Sequence, residues 1–254
     1  MALFVIGDIH GQYDRLIALL RSPALVNSRL AWTGRDATLW FMGDYVDRGL
    51  DGIDVIDLVM RLQREAKETK GFVGALLGNH DPLLLSAYHF PDEVISGPHG
   101  TFKHDWEVNG GNEADLERLT EAHVAWLSAL PAMVHVGGHL FMHADTTVYA
   151  RHGDSIEAVN DHFTTLLHGR DISAWDRLLE EFSEHDAFVG KPEVAGAMLI
   201  KFGGMQIVHG HTPISKMTGQ ADESVTEALI YADGLCINVD GGLYRGGRGF
   251  VVEL

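Results

Sequence analysis

The chain has 254 residues, 46% of them hydrophobic, and its 36 acidic residues outnumber its 19 basic ones to give a formal charge of −17. This size and composition predict one compact domain, residues 1–254, with two small domains as the alternative. The acidic excess argues against a nucleic-acid polymer or an anionic membrane as partner, because no basic surplus is available to neutralise phosphates.

Cysteine content and hydropathy indicate the compartment. The lone Cys236 excludes an internal disulfide and a cysteine-based zinc site, and it fits a reducing compartment. No apolar run approaches the ~20 residues that a membrane span needs. The start of the chain lacks the basic flank and length of a signal peptide. The sequence therefore predicts a soluble, cytoplasmic protein.

The first half of the chain repeats one pattern three times. A short apolar run that reads as a buried strand is followed by a polar motif and then by helical spacing of apolar residues. The three apolar runs are 3–6, 39–42 and 72–77. The three helical patterns are 13–20, 55–62 and the stretch from 83 onward. Strand–motif–helix units in series predict a mainly parallel sheet covered by helices.

The second half predicts further strands and a second sheet. Residues 140–142 and 205–208 are short strand-like runs that each lead to a histidine, and residues 154–185 have helical apolar faces. Three more strand-like runs, separated by glycine-rich turns, complete the chain: 228–232, 235–239 and 249–254. We therefore expect an α/β fold in which two packed mixed β-sheets are flanked by helices. The second sheet, containing the terminal runs, should be the more antiparallel.

Five motifs with oxygen or imidazole ligands follow the apparent strand ends. They are Gly7-Asp8-Ile9-His10-Gly11, Gly43-Asp44-Tyr45-Val46-Asp47-Arg48-Gly49, Gly78-Asn79-His80-Asp81, Met142-His143-Ala144 and Gly210-His211-Thr212-Pro213. Singly, each has an ordinary alternative, such as an acidic turn, an Asn helix cap or a buried core histidine. Together they predict a two-metal phosphoesterase site, at which metal-activated water attacks phosphorus. Ligands without a thiolate suit manganese, iron or zinc rather than copper(I).

The order of these motifs resembles the phosphoprotein phosphatase group of the calcineurin-like metallophosphoesterase superfamily. Residues 43–49 are close to that group's most specific motif, and residues 8–11 match its opening one. The resemblance extends to residues 238–242, which are similar to the end of small bacterial and bacteriophage lambda serine/threonine phosphatases. It implies the metallophosphoesterase fold and a phosphatase for phosphomonoesters, including phosphoserine and phosphothreonine in proteins. The implied reaction is direct attack by a hydroxide held between two divalent ions, with manganese as the first candidate.

The resemblance also assigns the metal ligands. The first metal would be held by Asp8, His10 and Asp44. The second would be held by Asp44, Asn79, His143 and His211. Asp44 would then bridge the two ions, as a carboxylate between glycines in a tight turn can do. His209, two residues before His211, could touch the metal shell, but the pattern favours a structural role for it.

Four further residues take catalytic roles by the same resemblance. His80 would be the general acid, oriented by Asp47, and Arg48 would hold phosphate oxygens. The Trp-Asp-Arg segment 175–177 resembles part of the lambda enzyme, which makes Arg177 the expected second phosphate-binding arginine. Arg170 is the competing candidate for that role.

Two features depart from protein phosphatases and favour the symmetrical diadenosine tetraphosphatases. Asp81 stands where protein phosphatases usually have Glu, and residues 106–111 are similar to a segment of those hydrolases. Two substrate classes therefore remain: a phosphomonoester on a protein or small molecule, and a pyrophosphate bond in diadenosine tetraphosphate. A binding module with a decayed site is the non-enzymatic alternative, and the presence of every ligand and catalytic position argues against it.

Overall fold

Nine short strands form two sheets within residues 2–254, the part of the chain that the computed structural model describes; Met1 lies outside it. The strands are β1 (Leu3–Ile6), β2 (Thr38–Phe41), β3 (Phe72–Ala75), β4 (Met133–Val136), β5 (His139–Met142), β6 (Gln206–His209), β7 (Leu229–Tyr231), β8 (Cys236–Asn238) and β9 (Val252–Glu253). The helices are α1 (Tyr13–Arg21), α2 (Gly52–Lys67), α3 (His80–His89), α4 (Phe102–Val108), α5 (Glu113–Arg118), α6 (Glu121–Ser128), α7 (Tyr149–His152), α8 (Ile156–His168), α9 (Ile172–Phe182), α10 (Pro192–Phe202) and α11 (Ile214–Thr218). Two 3₁₀ turns, Asp222–Ser224 and Leu243–Arg245, complete the secondary structure of this range.

The first sheet has the strand order β3-β2-β1-β9. Its β1, β2 and β3 are parallel, as the three strand–motif–helix units predict. The last strand, β9, pairs antiparallel with β1 through Phe4 opposite Glu253. The expectation that residues 249–254 belong to the second sheet is therefore wrong. Pairing with β9 covers an edge of β1 that would otherwise be open.

The second sheet has the order β4-β5-β6-β8-β7. Its three central strands are parallel, and both edge strands run antiparallel to their neighbours. The two sheets pack on each other through an apolar layer to which both contribute: Leu3, Val5, Trp40, Met42, Leu76, Phe141, Val208, Ile237 and Val239. Ile6 instead packs in the cluster that contains the helices, because successive side chains of a strand point to opposite faces. The expected fold of two packed mixed sheets flanked by helices is confirmed.

The helices follow the predicted apolar spacing. In α2, Val55, Leu58, Val59 and Leu62 are all buried. The stretch 154–185, predicted to be helical, forms the two helices α8 and α9. Asp171 caps α9 by accepting hydrogen bonds from the backbone N–H groups of Ser173 and Ala174. Within residues 2–254, no helix combines the length and apolarity needed to cross a bilayer.

Candidate metal centre

The predicted ligands meet because their strands end at the same edge of the fold. Asp8, Asp44 and Asn79 follow the parallel strands of the first sheet, while His143 and His211 follow parallel strands of the second. Backbone hydrogen bonds then join the loops. The His10 N–H donates to the Asp44 carbonyl at 2.8 Å, and the Gly210 N–H donates to the His143 carbonyl at 2.8 Å. These two bonds join loops within each sheet, and the His211 N–H, which donates to Asp8 Oδ1 at 3.0 Å, joins a loop of the second sheet to one of the first. The ligand-bearing loops therefore form one connected surface, as expected at the carboxyl ends of parallel strands.

The backbone of this surface is strained. Five of the predicted site residues have left-handed φ angles: His10 (49°), Asp44 (54°), Asp47 (65°), Arg48 (62°) and His211 (68°). This conformation costs a non-glycine residue roughly 1–2 kcal/mol. Such strain persists where the surrounding structure over-determines it, and it concentrates at functional sites.

Two glycines permit the close approach of the loops. A Cβ on Gly78 would lie 2.2 Å from Asp44 Oδ1, and a Cβ on Gly210 would lie 2.2 Å from Asp8 Oδ1. Both carboxylates are almost completely buried. The glycines in these motifs are therefore required by the space that the carboxylates occupy.

Asp44 is shared by two groups of potential ligand atoms. Its carboxylate lies within 4.8 Å of nitrogen atoms of His10 and His80 in one group, and of His143 and His211 in the other. The nearest approaches are 3.3 Å to His10 Nε2 and 3.5 Å to His143 Nε2. Asp8 belongs to neither group: both its carboxylate oxygens accept the His211 backbone N–H at 3.0 Å.

Backbone carbonyls determine the tautomers of two histidines. Nδ1 of His10 lies 3.0 Å from the Val46 carbonyl, and Nδ1 of His143 lies 2.8 Å from the Met42 carbonyl. A carbonyl oxygen only accepts, so each Nδ1 carries the proton and donates it. Nε2 is then the nitrogen of each ring that could ligate a cation, in the orientation that ligating histidines commonly adopt.

Asn79 brings an amide oxygen to the second group. Its Oδ1 lies 3.1 Å from His143 Nε2 and 2.9 Å from His211 Nδ1, and these two nitrogens are 3.2 Å apart. When Nε2 of His143 is deprotonated, as ligation of a cation requires, at most the His211 Nδ1 can supply a proton to this trio. A divalent cation would satisfy the converging lone pairs, and oxygen and imidazole donors suit it chemically.

The pKa shifts describe a strongly negative site. Burial raises the pKa of Asp8, and the charge on Asp240 raises it further. Burial lowers the pKa of His143, but the charge and hydrogen bond of Asp44 outweigh this and raise it to about 10. The potential that stabilises a proton on His143 would equally stabilise a metal cation. Burial also lowers the pKa values of His10 and His211, which keeps them neutral.

Asp47 and His80 form a hydrogen-bonded pair beside this cluster. His80 Nδ1 donates to Asp47 Oδ2 at 2.8 Å, while Trp106 Nε1 donates to the other oxygen, Oδ1, at 2.7 Å. Trp106 is fully buried and holds the carboxylate from behind. The role of residues 106–111 is thus partly to support Asp47, a link that no local sequence pattern indicates.

Asp81 acts on the backbone of the neighbouring loops. Its buried carboxylate accepts hydrogen bonds from the N–H groups of Gly78 at 2.7 Å, Asp44 at 3.2 Å and Tyr45 at 3.2 Å. These contacts join the Asn79 loop to the Asp44 loop. Asp81 therefore fixes the relative positions of two ligand-bearing loops and does not line the cleft.

Arg48 lies at the cluster, but the two candidates for a second arginine do not. Nη1 of Arg48 is 2.9 Å from His10 Nε2, and Nη2 is 2.8 Å from His80 Nε2.

Arg177 lines a different cavity, together with His152 and His162. It turns away because its neighbours Asp176, Leu179 and Glu180 take the cleft-facing side of α9. The structure therefore does not bring Arg177 to the cluster, and its role in phosphate binding stays a prediction.

The competing arginine is also remote from the cluster. The guanidinium of Arg170 stacks on Phe90, 5.7 Å from the ring centroid. His209 likewise faces elsewhere, since its Nε2 lies 2.8 Å from the Tyr231 hydroxyl and its Nδ1 lies 3.0 Å from the Gly210 carbonyl. This agrees with a structural role for His209.

Comparisons with known proteins identify the family. The model for calcineurin-like phosphoesterases matches residues 1–237, so the chain belongs to this family. Over 144 residues, 56% of this chain and 38% of the relative, it is 31% identical to Shewanella-like protein phosphatase 1 of Plasmodium berghei. Over 88 residues, 35% of this chain and 26% of the relative, it is 40% identical to a symmetrical bis(5'-nucleosyl)-tetraphosphatase of Salmonella arizonae. The chain thus spans less than two fifths of the length of these curated relatives.

Solved structures agree on the fold. A cold-active protein tyrosine phosphatase superposes with a TM-score of 0.73 at 21% identity, over 100% of this chain and 73% of that chain. A protein serine/threonine phosphatase of Saccharomyces cerevisiae superposes with a TM-score of 0.61 at 16% identity, over 100% of this chain and 72% of that chain. At these identities the likeness establishes the metallophosphoesterase fold alone.

Proposed function

We propose that the chain is a metal-dependent phosphatase that hydrolyses phosphomonoesters, with residues 1–254 forming a single catalytic domain. The shared carboxylate of Asp44, within reach of both imidazole groups, carries this proposal. The first cation would be held by Asp8, His10 and Asp44. The second would be held by Asp44, Asn79, His143 and His211. When bound, two divalent ions, manganese first among the candidates, polarise the phosphoryl group and activate water.

His80 is the proposed general acid. Asp47 accepts the Nδ1 proton, so the transferable proton of the acid form sits on Nε2, next to Arg48. Asp47 in turn keeps its orientation through Trp106. This arrangement fixes the imidazole plane before the substrate binds, and Nε2 can then protonate the leaving oxygen.

Arg48 is the proposed ligand for phosphate oxygens. Its guanidinium lies beside His10 and His80, and the residue is exposed to incoming substrate. A planar guanidinium can donate two parallel hydrogen bonds to a phosphoryl group. It would stabilise the charge that develops there in the transition state.

A cavity of about 330 Å³ beside Asn79 favours phosphomonoesters. Its lining includes the carboxylates of Asp105, Asp176 and Glu180 and the loop 95–99. Asp176 fixes this loop by accepting hydrogen bonds from Ser96 N and Oγ, at 3.0 and 2.6 Å. A polyphosphate chain entering here would meet like charge, whereas a single phosphate on a neutral or cationic group would not.

The second candidate function is hydrolysis of diadenosine tetraphosphate. Similarity to the tetraphosphatase of Salmonella arizonae favours it. The two sequence features that also favoured it carry less weight, because Asp81 contacts loop backbone and Trp106 contacts Asp47. Neither side chain is placed to select a leaving group. The proposed substrate is therefore a phosphorylated protein or a small phosphoester, and the proposed location is the cytoplasm.

A parallel assay separates the substrate classes. We expect kcat/KM for phosphoserine or phosphothreonine peptides and for an aryl phosphate to exceed that for diadenosine tetraphosphate by tenfold or more, or roughly 1.4 kcal/mol of transition-state preference. A phosphotyrosine peptide is assayed alongside, because one of the structural neighbours is named a protein tyrosine phosphatase. The Asp44→Asn protein, prepared identically, measures contaminating phosphatase. A tenfold preference for diadenosine tetraphosphate over every phosphomonoester would establish the second candidate instead.

A further inference from the structure

Tyr244 covers the guanidinium of Arg48. It lies in the 3₁₀ turn Leu243–Arg245, and its ring centroid is 4.3 Å from the Cζ atom of Arg48. The same ring meets His10 edge to face, with the centroids 4.9 Å apart and the planes at 77°. Tyr244 thus contacts two residues of the proposed site although it lies outside the five ligand motifs.

The turn that carries Tyr244 is held firmly. Leu243 is buried, and Asp240 Oδ1 accepts the Gly242 N–H at 2.8 Å just before the turn. On the other side, Arg245 Nε donates to Asp222 Oδ1 at 2.9 Å. The backbone that carries the ring is therefore fixed on both sides of Tyr244 by burial and hydrogen bonds.

The other side-chain contacts of Arg48 cannot persist during the proposed reaction. Its guanidinium donates to Nε2 of His10 and of His80. Each of these nitrogens has one lone pair, and the proposed roles use both: His10 ligates a cation, and His80 carries the acid proton. A ring stacked on the face of the guanidinium competes for neither lone pair.

We propose that Tyr244 is a positioning residue for Arg48, an inference that rests on the proposed phosphatase function. Stacking uses the face of the guanidinium and leaves its in-plane N–H groups free for phosphate oxygens. The ring thereby preserves the orientation of Arg48 when its imidazole contacts are lost. Because the backbone N–H of Arg48 also donates to the Gly110 carbonyl, at 2.6 Å, Tyr244 restricts a side chain whose base is already fixed.

A double-mutant cycle tests the inference. Tyr244→Leu should lower kcat/KM for an aryl phosphate about tenfold and weaken inhibition by inorganic phosphate about equally, with metal content unchanged. Tyr244→Phe, which keeps the ring, should stay within about twofold of the unaltered protein. In an Arg48→Ala background, Tyr244→Leu should have no further effect, because the group it positions is gone. Tyr88→Leu, at a partly buried tyrosine on α3, is the control.

Two outcomes would overturn the inference: independent, multiplying losses from Tyr244→Leu and Arg48→Ala, or equal losses from Tyr244→Phe and Tyr244→Leu. Failure of the proposed function is distinguishable, because the unaltered protein would then hydrolyse the aryl phosphate no faster than the Asp44→Asn protein does. If Tyr244→Leu does not fold, Tyr244→Met enters the same cycle with a similar side-chain volume.

Discussion

Asp44→Asn is expected to abolish metal binding and activity together. Asparagine tolerates the left-handed backbone at this position, where φ is 54°. Its amide oxygen can still accept the His80 backbone N–H, which lies 2.9 Å from Asp44 Oδ1. The substitution therefore removes little besides the shared negative charge. Activity should fall by more than ~10²-fold, since even the partners that orient metal ligands cost 10–100-fold when changed.

Elemental analysis measures the metal content of Asp44→Asn, and Asp240→Asn is the matched control. Asp240 is also a buried carboxylate near the site, but it belongs to neither group of potential ligand atoms. We expect metal content near zero for Asp44→Asn and near two per chain for Asp240→Asn. Retention of both metals by Asp44→Asn would refute the bridging role.

His80→Asn is expected to lower kcat by ~10²–10⁴-fold, the usual contribution of a general acid, with metals still bound. His80 Nδ1 is engaged by Asp47, so its Nε2 is the atom available to the leaving oxygen. The loss should be smaller for aryl phosphates, whose leaving groups need less protonation, than for alkyl phosphates. Steady-state kinetics with both substrate types measure this difference.

His89→Asn, at the far end of the same helix, controls for general damage to α3. It should retain nearly full activity on both substrate types. An equal loss for aryl and alkyl phosphates in His80→Asn would rule out proton donation to the leaving group. The residue would then act only through the geometry of the site.

The order of strands and helices was largely predictable because its signals are local. Apolar runs and helical spacing mark β1, α1, β2 and α2 within a few residues of their actual bounds. The pairing of β9 with β1 could not be predicted, since Val252 lies far along the chain from Val5 and both sheets contain antiparallel edge strands. Register between distant segments depends on tertiary packing rather than on periodicity.

The candidate site also has a part that local sequence signals predict and a part that depends on tertiary packing. Side chains that directly follow strand ends, such as Asp44 and His143, could be expected to converge because parallel strands end together. The position of Arg177 at another cavity could not be predicted, because a segment resemblance does not indicate which face of α9 meets the cleft. Trp106 and Tyr244 reach the site from distant segments, and only the folded structure brings them there.

The most direct test of the two-metal proposal is a titration of metal-free protein. The unaltered chain is stripped with a chelator, and manganese is added back while hydrolysis of an aryl phosphate and bound metal are both followed. We expect no activity before addition and full activity at two equivalents per chain, with manganese restoring it better than iron or zinc. Full activity in a sample shown by elemental analysis to contain no metal would contradict the account.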